Sequence, residues 1–426
     1  MKNIILFLFI TITISCHSNQ YIERCSQNTV PVFTFDTDYI KTHAAYFTFD
    51  NNRLSGTGAG VLKSIAEESQ FVTIGESHGS SQTSKLVAAW LPELSKNGFD
   101  NFACEVGPTS AKVLQRLSTP AEKTVEQLKA FNARYYLEGI DDFSIPFFTG
   151  EEDAQFLKVA AENGMELWGL DQEYYYSILH LTEELTNLLK NDSNYEEALI
   201  IKSDADKVIM EWFIKDDESE EEIDVFGGIL EEAKVVELFD LFSKENEPAQ
   251  VIIESLEVSF DIYTRWRSGS HADRVSYMRN NFMKHYNAKT IGDEHPKVFL
   301  KFGQMHASQI LSLNTYDLGH LVQELACSIG KEATNISISN RFFEDDGQAV
   351  DYMKKHSWYF GRLESLFSLG EMDRAVIINL KAIRSDIKKG KVALPKNGDF
   401  HGLKSLIDGF DYQIILPFDK EVTLNF

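Results

Sequence analysis

Cysteine is scarce, four residues in a chain of 426, and that scarcity argues against a fold stapled by disulfides. With Cys16 set aside for the reason given below, Cys25, Cys104 and Cys327 leave an odd number, which a closed set of bridges cannot use. Cys104 sits inside an apolar run and reads as a small buried side chain. Basic residues are also short: Lys and Arg number 41 against 65 Asp and Glu, a net charge of -24 with no local basic patch. Such a surface repels polyanions, so nucleic acid is excluded as a partner. Internal repeats and low-complexity tracts are absent, and the leading apolar run, residues 4–14, is too short to span a bilayer.

What is present is a large apolar share. At 43% hydrophobic, 426 residues can bury a substantial core as one elaborated domain or two smaller ones. The N-terminus has the layout of an export signal: Lys2, the apolar run, then Ser15-Cys16. Residues 13–16, Thr-Ile-Ser-Cys, resemble a bacterial lipobox, in which the signal is cut before a cysteine that becomes acylated. The expectation is a signal over residues 1–16, lipidation at Cys16, and an exported chain anchored to a membrane at its periplasmic or outer-membrane face. Plain secretion is the alternative. Residues 17–55 are polar and lack strong helical periodicity, which suits a tether and a short lead-in.

From residue 56 short apolar runs recur at 71–74, 102–106, 165–170 and 298–302, each bounded by Gly, Pro, Asn or Asp and separated by helical periodicity. This βαβ pattern predicts an α/β domain over 56–426, with a mostly parallel mixed sheet flanked by helices. Helices are expected at 84–94, at 109–117 behind Pro108, and at 151–162 ahead of Asn163-Gly164. Further strands are expected at 335–339, 375–380 and 412–416, the last ones as antiparallel edges. Between about 175 and 290 the strand signal vanishes, which predicts a helical insertion. Its acidic run, residues 216–222, reads as a solvated loop or a helix start.

Chemistry-bearing residues gather where strands end. The first run leads into Gly75-Glu76-Ser77-His78-Gly79, and ligands of open α/β sheets bind beyond the carboxyl ends of strands. In an extended backbone Glu76 and His78 project to one side and Ser77 to the other. The same five residues match the G-x-S-x-G nucleophile elbow, but that elbow follows several earlier strands, whereas this one ends the first. Glu105 stands inside an apolar run, where an unpaired carboxylate is costly, so a His or Arg partner is implied. Asp171, Gln172 and Glu173 follow the third run and precede Tyr174, Tyr175 and Tyr176; Asp171, Glu173 and Tyr174 are candidates to line a substrate pocket or to cap and pack. Gly303-Gln304-Met305-His306 repeats the strand-then-His arrangement, and Arg274, Met278 and Asn281 share one helical face. Glu76, His78, Glu105 and His306 thus form a set of two imidazoles and two carboxylates drawn from three strands.

These blocks resemble the erythromycin esterase family and its wider superfamily, which includes ChaN-like haem-uptake lipoproteins and TIKI-type metalloproteases. The resemblance rests on Gly75, Glu76, His78 and Gly79, then Glu105, then Arg274, Met278 and Asn281, then His306, in that order over roughly residues 70–310. It implies hydrolysis of an ester or related bond in a small molecule, without a required cofactor. His78 or His306 would be the general base, carboxylates would orient them, and Arg274 would steady the developing anion. Two departures point away from macrolides: one residue fewer between Glu76 and His78 than the esterases carry, and Gly303-Gln304 where they carry His-Asn. The shorter Glu-x-His is nearer the ChaN-like branch, which implies a second reading as a non-catalytic lipoprotein binding haem through Tyr or His. The third is a metal-dependent peptidase, with Glu76, His78, Glu105 and His306 as ligands to a divalent ion.

Overall fold

In the computed structural model, which describes residues 32–220, 223–395 and 400–426, eight strands form one sheet. In chain order they are Ala44–Phe47 (β1), Ser69–Glu76 (β2), Phe99–Cys104 (β3), Glu166–Gly169 (β4), Lys297–Gly303 (β5), Glu332–Asn340 (β6), Ala375–Asn379 (β7) and Tyr412–Leu416 (β8). Across the sheet they run β1-β7-β8-β6-β2-β5-β3-β4, and every neighbouring pair is parallel except the two that β7 makes. The central strands β2 and β5 are largely apolar because both of their faces are covered. β2 is buried at every position, and β5 at all but its first.

Helices form where the sequence supplies their ends. Ser81–Lys96 (α1) is capped by the Ser80 hydroxyl, which accepts from the Thr83 amide. Pro108–Leu117 (α2) carries proline at its first position, where no amide is needed. Glu151–Glu162 (α3), His271–Lys289 (α4) and Leu318–Ser328 (α5) complete the set that bears on the site. Successive strand residues face opposite layers. Val72, Ile74, Phe102 and Phe299 pack with Leu86 and Trp90 of α1 and Phe156 of α3. Phe71, Leu300 and Phe302 pack on the other face with Met278 and Phe282 of α4 and Leu318 of α5.

Three expectations are corrected. The strand over 412–416 is internal and pairs in parallel with β6, because β7 is the one that turns against the rest. The part of the expected tether from residue 32 onward is already folded: β1 lies on the sheet edge, and Thr37–Lys41 is a short helix. Within the acidic run Asp216, Asp217 and Glu218 end the helix Tyr195–Glu218, so the run does not start a helix there, and Asp216 accepts from the Tyr175 hydroxyl at 2.6 Å. Among the described residues between β4 and β5 the chain forms helices and no strand, with a separate apolar cluster that includes Leu185, Phe213 and Leu256. The expected export signal and Cys16 lie outside the described residues.

Candidate active site

Because β2, β5 and β3 are neighbours in one parallel sheet, their carboxyl ends set Glu76, Gly303 and Glu105 side by side. Glu76 is the last residue of β2 and pairs across the ladder with Gly303. Its Oε1 accepts from Lys301 Nζ at 2.5 Å and from His78 Nδ1 at 3.1 Å. Burial alone would raise the Glu76 pKa, but the Lys301 charge and the His78 hydrogen bond outweigh it and hold the carboxyl below its ordinary value. With Nδ1–H donating to a carboxylate, Nε2 is the unprotonated nitrogen of neutral His78, and it lies 3.6 Å from Glu105 Oε2. The ring stacks on Phe147 with centroids 3.9 Å apart.

A second ion cluster abuts the first. Glu105 Oε2 accepts from the Gly303 amide at 2.5 Å, and Oε1 accepts from Arg274 Nη2 at 3.1 Å. Arg274 also forks onto Asp171, through Nε at 3.0 Å and Nη2 at 2.5 Å, so Asp171 is the partner that holds the guanidinium in place. His306 Nδ1 bonds Asp317 Oδ2 at 2.7 Å, and Nε2 lies 3.4 Å from Glu105 Oε1. Burial opposes protonation of His306, yet the Asp317 hydrogen bond and the nearby carboxylate charges prevail and raise its pKa. The flanking carboxylates therefore favour its protonated form. Its side chain is 3% exposed against 34% for His78, so the two imidazoles have different work: one is accessible, the other locked.

Four carboxylates (Glu76, Glu105, Asp171, Asp317) face Lys301, Arg274 and the His306 imidazole. Buried Asp153, which accepts from Ser84 Oγ at 2.6 Å and the Gly150 amide at 2.9 Å, adds an acid behind Lys301; burial pushes its pKa up to about 6.

The loop bearing His78 is strapped from the far end of the chain. Asp419 accepts from the hydroxyls of Ser80 at 2.6 Å and Ser81 at 3.0 Å, and the Val422 amide donates to the Gly79 carbonyl at 2.9 Å. Gly303 is glycine for a steric reason: a Cβ there would stand 2.9 Å from His78 Nε2. Gly303→Ala is therefore expected to push the imidazole aside and lower kcat by about 10- to 100-fold, with the melting temperature little changed. Steady-state rates with a thermal melt check this; a rate within threefold of wild type, by about 0.7 kcal/mol of barrier, sinks it.

Of the residues expected from sequence, Glu76, His78, Glu105, Arg274 and His306 meet. Arg274, Met278 and Asn281 all face inward: Met278 is buried and Asn281 Nδ2 donates to the Leu170 carbonyl at 2.9 Å. Glu173 does not join them. It is fully buried and accepts from the Thr109 amide at 2.7 Å and Ser110 Oγ at 2.5 Å, capping α2. A Cβ on Gly107 would come within 2.1 Å of that carboxyl, which is why the preceding turn is glycine. Tyr174 lines a cavity and donates to Asp142 at 2.8 Å. Cys104 is buried with its thiol pKa pushed up to about 12, an inert side chain. No hydrogen bond joins Ser77 to an imidazole among the described residues, which removes the elbow reading. Lys301, Asp317, Asp153 and Phe147 were not foreseen.

A divalent metal needs carboxylate and imidazole lone pairs converging on one point. Glu76 and Glu105 are already tied to Lys301 and Arg274, and among the described residues no three His, Cys, Asp or Glu side chains converge as ligands, so the arrangement does not fit a metal. For haem, His306 has carboxylates at both nitrogens and the Tyr174 and Tyr175 phenols are engaged, which leaves His78 Nε2 as the candidate ligand atom of this group.

Fold and site together define an α/β protein with an imidazole–carboxylate centre at the carboxyl edge of a parallel sheet. No family model and no curated protein matches the chain. Among solved structures, a succinoglycan biosynthesis protein superposes with a TM-score of 0.50 at 12% identity, covering 91% of this chain and 97% of that one. A mutant erythromycin esterase in its open conformation gives 0.48 at 13% identity over 90% and 99% of the two chains. Haem-bound ChaN of Campylobacter jejuni gives 0.32 at 10% over 91% and 99%. At these identities the likeness is one of fold.

Proposed function

We propose that the chain is a hydrolase that cleaves an ester or related bond in a small molecule, with His78 as general base. The observation that carries this reading is the relay Lys301–Glu76–His78: a buried carboxylate, fixed by a buried ammonium, orients the one accessible imidazole of the cluster. Nε2 takes a proton from water as the water oxygen attacks the carbonyl carbon. The tetrahedral oxyanion collapses, the alkoxide leaves, and the proton passes from Nε2 to it. Glu76 stabilises the transient imidazolium in the manner of a triad acid. Arg274 Nη1, the guanidinium nitrogen without a hydrogen bond among the described residues, is available to the oxyanion. His306 and Asp171 keep Glu105 and Arg274 in register.

The test is a screen of the full chain against para-nitrophenyl esters, with and without EDTA. Turnover that survives chelation is expected. A Soret shift on haem titration with no ester cleaved by any preparation would sink the reading.

We propose further that the protein is exported and acylated at Cys16, which places the hydrolase outside the cytoplasm on a lipid tether. The support is the signal-like layout of residues 2–16. Metabolic labelling with a radioactive fatty acid should mark the wild-type chain and spare Cys16→Ala; equal labelling of both disproves it.

A further inference from the structure

A residue beside the site holds a backbone conformation that its own type disfavours. Pro146 and Phe147 form a turn, and Phe147 has a φ of 64°, in the left-handed region. A Cβ crowds the backbone there, so a turn that opens with proline and then needs positive φ ordinarily takes glycine or asparagine second. The turn is anchored on both sides. Ile145 and Phe148 are buried, the Ser144 carbonyl accepts from Ser177 Oγ at 2.9 Å, and the Phe148 carbonyl accepts from Asn132 Nδ2 at 3.1 Å. Such anchors keep Phe147 in place, and a disfavoured backbone maintained by its surroundings directs attention to the side chain it presents.

Burial does not account for that side chain, because Phe147 itself is only half-buried. Its ring lies flat on the His78 imidazole, with centroids 3.9 Å apart and planes 21° from parallel. It also lines a cavity of about 350 Å³ together with Glu105, Asp171 and Arg274, so one ring adjoins both the proposed base and the proposed oxyanion donor. Glu76 and Glu105 meet the imidazole at its two nitrogens, with Lys301 behind the first and Arg274 behind the second. The phenyl meets it on a face. An aromatic face carries partial negative charge and attracts a cation lying over it.

We infer that Phe147 is a positioning residue for His78: its ring fixes the imidazole plane, and its π face stabilises the imidazolium that forms as Nε2 takes the proton from water. This deepens the hydrolase reading and rests on it. Phe147 moves no proton and bonds no reacting atom; it acts through the imidazole.

The test uses the full chain with 13C-labelled histidine, the His78 resonance being the one that His78→Gln lacks. Phe147→Leu keeps an apolar side chain on the same backbone and removes the π face. The NMR titration midpoint of its His78 ring should fall by about half a unit, because the protonated form loses its face-on partner while Glu76 and Glu105 remain. Its kcat for a para-nitrophenyl ester should fall about fivefold, with KM within about twofold of wild type. Phe147→Tyr retains an aromatic face and should restore both readings. The midpoint reports folded protein alone, so a reduced folded fraction does not enter it. A midpoint displaced in Phe147→Leu, with no ester cleaved even by the wild type, overturns the hydrolase reading and leaves the hold of Phe147 on the imidazolium standing. Esters cleaved with the midpoint unmoved, a Phe147→Leu rate within about twofold of wild type, or a loss shared equally by Phe147→Tyr overturns the inference.

Discussion

His78→Gln is expected to lower kcat for ester hydrolysis by about a thousandfold while KM stays within about twofold. Glutamine retains an amide that can still donate to Glu76 but has no group that accepts a proton at neutral pH, so the loss isolates the base function. The size of the effect follows from division of labour within the cluster. His306 cannot substitute, because it is buried with Asp317 at one ring nitrogen and Glu105 at the other. Glu105 cannot substitute either, since its oxygens accept from Arg274 and the Gly303 amide. Ser77→Ala, by contrast, should keep its rate within threefold, about 0.7 kcal/mol in barrier, because nothing in its surroundings activates the hydroxyl. Circular dichroism on both variants separates lost chemistry from lost structure. A His78→Gln enzyme retaining a tenth of the wild-type kcat would show that another group takes the proton.

The parts of this molecule legible in the sequence are those fixed by period and position. Strands buried on both faces announce themselves as largely apolar runs, so β2 and β5 were visible to within two residues of their true bounds at each end. The rule that sites lie beyond parallel strand ends then picked out Glu76, His78, Glu105 and His306. What was hidden depends on which strands become neighbours. Lys301 sits in an apolar run at a position that local pattern marks only as an anomaly, and its partner Glu76 is 225 residues away. The anomaly was the available signal: a lysine at the centre of a buried strand must find an anion. Asp317 reads as an ordinary helix cap, which it is, since its Oδ1 accepts from Leu318; its second oxygen serves His306, and no local pattern reveals that. Glu173 errs the other way, because an acid just past a strand can cap a neighbouring helix as readily as line a pocket. The direction of β8 was unreadable for a similar reason: strand polarity is set by where a long connection returns, not by the residues within the strand.

Lys301→Met should cost about 3–5 kcal/mol of stability at pH 7, the largest single effect expected outside the apolar core. The methionine fills similar space and removes the cation, so Glu76 is left charged and buried with only a hydrogen bond from His78. The pH dependence gives the sign. In the wild type the Glu76 pKa is depressed, so the pair's contribution is complete above the ordinary carboxylate value of about 4.3 and is lost as pH falls through the depressed one. In the variant burial acts unopposed by the ammonium and raises that pKa, so protonating Glu76 relieves the strain on the fold. The stability gap between the two proteins, measured by urea unfolding, should accordingly be widest at neutral pH and narrow toward pH 4. Adding Glu76→Gln to Lys301→Met should recover most of the lost stability, because an uncharged pair carries no unpaired ion. Activity should not return with it: glutamine holds the imidazole in place but does not stabilise the imidazolium, so folding and rate part company in the double variant. A gap that stays constant from pH 4 to pH 7, or a double variant no more stable than the single one, would mean that Lys301 supports the sheet by packing alone and that Glu76 reaches His78 without it.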